Sequence, residues 1–157
     1  MIKNNKSGKK APNFILPNQY DEIINLSKIK NKFIVLFFYP KDDTPGCTIE
    51  SIDFSKLNKN FIKLNAKVYG ISKDDQKSHC KFIDKYNLKV DLLSDNKLKT
   101  IKAYKVWGDK MFMGKKFKGV IRSTFIIDKN KRILKTWKSV KVKEHAKEVL
   151  DYLKSIY

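Results

Sequence analysis

Apolar and polar positions fall in blocks along the chain, and the period within each block identifies the element. The longest apolar run, FIVLFFY at 33–39, is short, continuous, and rich in β-branched and aromatic residues, and Pro40 closes it. A run of that kind predicts a strand buried on both faces. After the turn KDDTPG, residues Phe54, Leu57, Phe61 and Leu64 recur at spacings of three, four and three, which predicts one helix with a single apolar face. AKVYGIS at 66–72 reads as a second strand. DDQKSHCKFIDKYN at 74–87 reads as a second helix, with His79, Phe82, Ile83 and Tyr86 sharing a face. VDLLSD (90–95) and KLKTIKAYKV (97–106) predict a short strand and a short helix. STFIID (123–128) and ILKTW (133–137), joined by KNKR, predict a hairpin, and KEHAKEVLDYLKSIY (143–157) an amphipathic helix. GDKMFMGKKFKG (108–119) fits a loop or a hairpin insertion.

This order, βαβα followed by strand, helix, hairpin and helix, predicts an α/β protein with a central mixed sheet flanked by helices. No repeat or low-complexity linker interrupts it, so residues 1–157 are expected to form a single domain. The run at 33–39 is too short to cross a bilayer. The N-terminal MIKNNKSGKK is charged, with no apolar stretch of signal-peptide length after it. A cytoplasmic protein without a membrane partner is therefore expected. Two cysteines do not make a disulfide framework, and in the reducing cytosol such a pair is more often catalytic or incidental.

The net charge of +19 raises a nucleic-acid partner as an alternative, since lysines neutralise phosphates and release counterions. The lysines, however, run the whole length of the chain. Of 35 basic residues only Arg122 and Arg132 are arginine, the residue suited to bidentate phosphate and base contacts. Abundant Lys, Asn, Ile, Phe and Tyr all have AT-rich codons, so genome composition accounts for the charge. At most, non-specific nucleic-acid binding is expected from it.

Cys47 carries more information. With the helix starting near Pro45 or Gly46, it lies in the first turn, among unpaired N–H groups at the positive end of the dipole. Both favour the thiolate, which is the nucleophile. Thr44 is close enough to aim a hydroxyl at the sulfur or at an oxygen bound to it. Pro40 cannot donate a backbone hydrogen bond and can shield the sulfur from water. The plain alternative is an inert buried cysteine at a helix start.

The other candidates are poorer. Cys47, His79, Cys80 and His145 have no zinc-site spacing. A Cys–His hydrolase would have to rely on His79, whose apolar companions suggest a packed core-edge histidine. There is no C-x-x-C for a thioredoxin-type reductase. Trp107 reads as loop packing near the site, Asp42 and Asp43 as turn residues, and Glu50 as a solvated or helix-terminus carboxylate.

The segment YPKDDTPGCTIE resembles the active-site segment of peroxiredoxins, in which a proline, a threonine and a cysteine recur as Pro40, Thr44 and Cys47 do here. The likeness continues through GISKDDQKSHCKFIDKYNL, LLSD, YKVWG, MFMGKKFKGVIRSTFIID and the terminal helix, and is closest to the bacterioferritin co-migratory, or peroxiredoxin Q, branch. It implies a thioredoxin-like fold, usually a monomer, and a thiol peroxidase acting on hydrogen peroxide and organic hydroperoxides without metal or flavin. Cys47 would be the peroxidatic thiolate, converted to sulfenic acid. Thr44 would hold the peroxide in line, and Arg122, in GVIRSTF, would stabilise thiolate and developing oxyanion. An arginine retained among so many lysines fits that role, because a guanidinium offers a fixed fork of donors.

Re-reduction is less determined. The position five residues after Cys47, where many members of the branch carry a resolving cysteine, is Ile52. Others carry it on the following helix, at a position that aligns with Ile83, one turn beyond Cys80. Three readings of Cys80 stay open: a resolving cysteine within the chain, a structural residue in a one-cysteine enzyme reduced by an external thiol such as thioredoxin, or a bridge to a second chain. A redox-sensitive, basic nucleic-acid-binding protein is the alternative function.

Overall fold

A computed structural model describes residues 8–157. Most of the N-terminal segment read above as lacking a signal peptide, residues 1–7, lies outside them. Nine strands and five α-helices follow in order: β1 (Ile15–Pro17), β2 (Ile23–Asn25), β3 (Phe33–Phe38), α1 (Pro45–Lys56), α2 (Asn58–Lys63), β4 (Ala66–Ser72), α3 (Gln76–Tyr86), β5 (Asp91–Ser94), α4 (Lys99–Ala103), β6 (Trp107–Phe112), β7 (Lys115–Val120), β8 (Ser123–Asp128), β9 (Ile133–Lys138) and α5 (His145–Ile156).

The central sheet runs β5-β4-β3-β8-β9. β3 pairs parallel with β4 and antiparallel with β8, so it is the middle strand, and all six of its residues are buried. That is why its sequence reads as unbroken apolar residues. Its side chains alternate between two cores. Phe33, Val35 and Phe37 pack with Phe54, Phe61, Phe82, Val149 and Leu153, under α1, α2, α3 and α5. Ile34, Leu36 and Phe38 pack with Leu26, Ile101, Tyr104, Val106 and Phe125 on the opposite face. The expected mixed sheet with helices on both sides is what forms.

Two expectations need correction. The single helix expected through Leu64 is two, because Leu57 leaves helical geometry (φ −94°, ψ 2°) between α1 and α2. The break is held from outside: Ser55 Oγ accepts from Lys89 N at 2.8 Å, and Asn58 Nδ2 donates to Lys89 O at 3.2 Å. The strands β1 and β2 were not foreseen. Each has three residues, with Ile15 and Ile23 mostly exposed, too short a stretch to show a period. Residues 108–119 fall within the β6–β7 hairpin, the second of the two forms expected there. Among the described residues no helix is long and apolar enough to cross a membrane.

Candidate active site

α1 begins at Pro45, whose missing N–H is no loss at a helix start. Thr44 precedes it in extended geometry, and Thr48 N donates to Thr44 O at 2.8 Å to close the first turn. Cys47 thus sits in that turn, as read from the sequence, and is only 1% exposed.

Arg122, immediately before β8, reaches across to it. Its Nη2 lies 3.5 Å from Cys47 Sγ and its Nη1 donates to Glu50 Oε1 at 2.7 Å. A Cβ at Gly46 would stand 3.0 Å from Nη2, so glycine there lets the guanidinium lie against the helix start. Burial alone would push Arg122 down, but the charges of Glu50 and Cys47 outweigh it and hold the guanidinium above its ordinary value. It is a fixed cation beside the sulfur.

Glu50 corrects the sequence reading. It is not solvated: its side chain is fully buried, one helical turn after Cys47 on the same face. Burial, opposed by Arg122, pushes its carboxyl up to about 7, and Oε2 has no hydrogen-bond partner. Whether or not Glu50 holds its proton, Oε1 accepts from Arg122 and orients the guanidinium. The signal was legible only in part. The spacing of three from Cys47 is in the sequence, but the partner is 72 positions away.

Thr44 is placed beside the helix start, but its hydroxyl donates to Lys41 O at 2.8 Å, leaving its lone pairs as acceptors. Pro40 is half-buried, two residues after the end of β3. Lys110, on β6, is a neighbour that sequence reading missed, with nothing to distinguish it among so many lysines. Its Nζ donates to Val120 O at 2.9 Å. Burial and then the charge of Arg122 lower it, while Cys47 acts in the opposite direction.

Asp42 and Asp43 are in a turn, as read, but they also fasten it to α3. Asp42 accepts from Tyr39 Oη at 2.6 Å and from Ser78 Oγ at 2.7 Å, and its Oδ2 lies 2.8 Å from His79 Nδ1. His79 Nε2 lies 3.1 Å from Leu93 O, which can only accept, so that nitrogen carries a proton. Asp43 takes Lys85 Nζ and Tyr86 Oη, each at 2.8 Å. His79 is wholly buried in this network rather than at a core edge, and both its nitrogens are committed.

Cys80 is half-buried on α3, with Sγ donating to Gln19 O at 3.1 Å, in the turn between β1 and β2. Gln19 is in turn tied to β5 through Leu92 N and Asp91. The structure brings Cys47, Thr44 and Arg122 together and leaves Cys80 engaged elsewhere. His145, the remaining histidine, is buried near Trp137 and Phe54, with Nε2 2.8 Å from Thr124 Oγ1. Burial lowers it to about 4.

A buried thiol in the first turn of a helix, faced by an arginine and carried on this mixed sheet, is the arrangement that the resemblance to peroxiredoxins implies. Comparison with known proteins is more specific. Residues 7–136 match the AhpC/TSA family. The chain is 46% identical over 149 residues to peroxiredoxin Bcp of Bacillus subtilis, covering 95% of each chain. It is 47% identical over 146 residues to a putative peroxiredoxin bcp of Helicobacter pylori, covering 93% of this chain and 96% of that one. A solved structure of the Xanthomonas campestris bacterioferritin comigratory protein, from work on its alkyl peroxide reduction activity, superimposes with a TM-score of 0.86. It covers 91% of both chains at 36% identity. The chain belongs to the AhpC/TSA family, in its Bcp or peroxiredoxin Q branch, and is a peroxiredoxin. The enzyme reading therefore stands over the nucleic-acid-binding alternative.

Proposed function

We propose that Cys47 is the peroxidatic thiol, Arg122 its charge partner and Thr44 the peroxide-binding hydroxyl, with hydrogen peroxide and organic hydroperoxides as substrates. The observation that carries this is the fork of Arg122 between Cys47 Sγ and Glu50 Oε1 at the start of α1. The thiolate attacks the terminal oxygen of ROOH, so the S–O bond forms as the O–O bond breaks. RO⁻ departs and is protonated to water or an alcohol, and Cys47 becomes a sulfenic acid. Thr44, its proton committed to Lys41 O, accepts a hydrogen bond from the incoming hydroperoxide and fixes its line of approach. The Arg122 donors stabilise charge that develops between sulfur and the two oxygens.

For the second half of the cycle we propose that Cys80 attacks the sulfenic acid, forming a disulfide and releasing water. A dithiol protein of the thioredoxin kind then reduces the disulfide. Forming it takes Cys80 Sγ from Gln19 O and Cys47 Sγ from Arg122. In this proposal the first turns of α1 and α3 unwind to bring the Cα atoms within about 7 Å, releasing Asp42 from Ser78 and His79. The proposed enzyme works as a monomer, as the resemblance to the peroxiredoxin Q branch implies. The test is peroxide consumption coupled to thioredoxin and its reductase. The wild-type chain should turn over and Cys47→Ser should not; turnover by Cys47→Ser would refute the assignment.

A further inference from the structure

The β6–β7 hairpin carries an apolar patch that none of the described residues covers. Met111 is 69% exposed, Phe112 68%, Met113 87% and Phe117 46%. The tip is a two-residue turn with positive φ at both Met113 (52°) and Gly114 (80°). Such turns favour Asn, Asp or Gly at their first position. A large apolar side chain there meets both a backbone and a solvation penalty, and nothing among the described residues offsets either.

The register shows what could cover it. Met111 pairs with Lys116, Phe112 with Lys115, Lys110 with Phe117 and Asp109 with Lys118. Paired residues share a face and successive ones alternate. Phe112, Phe117 and Lys115 therefore lie on one face, Met111 and Lys116 on the other, and Met113 projects from the end. Apolar side chains on both faces of a ribbon suit a medium that surrounds it, whereas a protein partner covers one side. Exposed lysines interleave with them, and a chain of net charge +19 is drawn to negative surfaces. Lipid interfaces take up segments with this combination: apolar side chains enter the acyl boundary while lysines reach the phosphates.

We propose that the tip of this hairpin docks on an anionic lipid surface, with Met111, Phe112, Met113 and Phe117 in the interface and Lys115 and Lys116 on lipid phosphates, while Lys118 stays paired with Asp109 at 2.9 Å. The hairpin also leads to the catalytic centre: Lys110, on the face of Phe112 and Phe117, lies across Gly119 and close to Arg122 and Cys47. Docking sets Cys47 near the interface, where hydroperoxide groups on lipids are reduced to lipid alcohols as Cys47 is oxidised to sulfenic acid. That last consequence rests on the peroxidase reading; the docking does not.

The test is flotation of the full chain with vesicles of equal phosphatidylcholine and phosphatidylglycerol, against phosphatidylcholine alone, at about 150 mM salt, where screening is short-ranged. The wild-type chain floats with the anionic vesicles only. The combined variant Met111→Ser, Phe112→Ser, Met113→Ser loses at least about tenfold in affinity, because the buried apolar area sets much of the binding. It keeps its turnover of hydrogen peroxide. Absence of wild-type binding, equal binding to neutral vesicles, or a variant that binds as well as the wild type overturns the proposal. So does a variant unchanged in flotation but slow with the protein reductant, which would make the hairpin a protein-docking surface. A failed peroxidase reading would show separately, as a chain that floats but consumes no peroxide.

Discussion

Cys47 and Cys80 are both free thiols on helices flanking the same sheet, yet their surroundings differ in every respect that matters for reactivity. Cys47 is buried in a first helical turn with a guanidinium 3.5 Å from its sulfur. Cys80 is half-buried further along its helix, and its Sγ–H donates a hydrogen bond to the carbonyl of Gln19. The first sulfur faces a cation; the second faces only a carbonyl oxygen. The difference separates the step that meets peroxide from the step that only has to follow. It also shows why α3 is fastened so firmly to the turn before α1. Asp42 and Asp43 hold that turn in the shape that keeps Arg122 and the helix start around Cys47.

The contrast breaks most severely when the cation is altered. Arg122→Lys keeps a charge but loses the fork that serves sulfur and Glu50 together. Its second-order rate with hydrogen peroxide should fall by about 100-fold, the scale for losing one preorganised donor, as read by stopped-flow. A rate within about twofold of the wild type would mean that charge alone suffices.

Next in size is the clamp on α3. His79→Leu removes the partner of a buried carboxyl at Asp42 and should destabilise the chain by about 3 kcal/mol in denaturant unfolding. It should also speed disulfide formation, because release of α3 from Asp42 no longer has to be overcome. Reduced stability with slower disulfide formation would show that the network positions Cys80 instead of restraining it.

Glu50 gives an effect of similar or smaller size with a pH signature. Its folded value of about 7 lies above the ordinary 4.5, so the folded state holds this proton more tightly than the unfolded one. The resulting stability is fully present below about pH 4.5 and is lost as pH rises through about 7. Glu50→Gln cannot titrate, so its stability relative to the wild type should rise across that window, by up to roughly 3 kcal/mol. The difference between the two proteins isolates Glu50 from His145. The low value of about 4 for His145 acts oppositely, removing stability as pH falls through about 4. A difference that stays flat from pH 5 to 8 would contradict the buried, protonated carboxyl.

The smallest effect sharpens the comparison from the other side. Cys80→Ser should leave the first reaction with peroxide within about twofold of the wild type, while thioredoxin-coupled turnover falls. A large loss in the first step would mean that Cys80 shapes the peroxide site itself.

The unbroken apolar run at 33–39 located the central strand, the Pro45–Gly46 turn the helix start at Cys47, and helical spacing the amphipathic helices. Arg122 stood out because the chain otherwise uses lysine. What escaped was long-range. Glu50 looks like any helix carboxylate until Arg122 is folded onto it, and Asp42 looks like a turn residue until α3 arrives. The break at Leu57 depends on contacts from Lys89. Lys110 carries no mark among so many lysines, and only the hairpin's path brings it near Cys47.

The most direct test of the inequality between the thiols is to treat the reduced chain with one equivalent of hydrogen peroxide, trap it with an alkylating agent, and measure intact and peptide masses over time. Oxidation should begin at Cys47, as one added oxygen in Cys80→Ser and as an intramolecular Cys47–Cys80 disulfide in the wild type. Cys47→Ser should stay reduced. Oxidation that starts at Cys80, or that proceeds as fast in Cys47→Ser, would contradict the account.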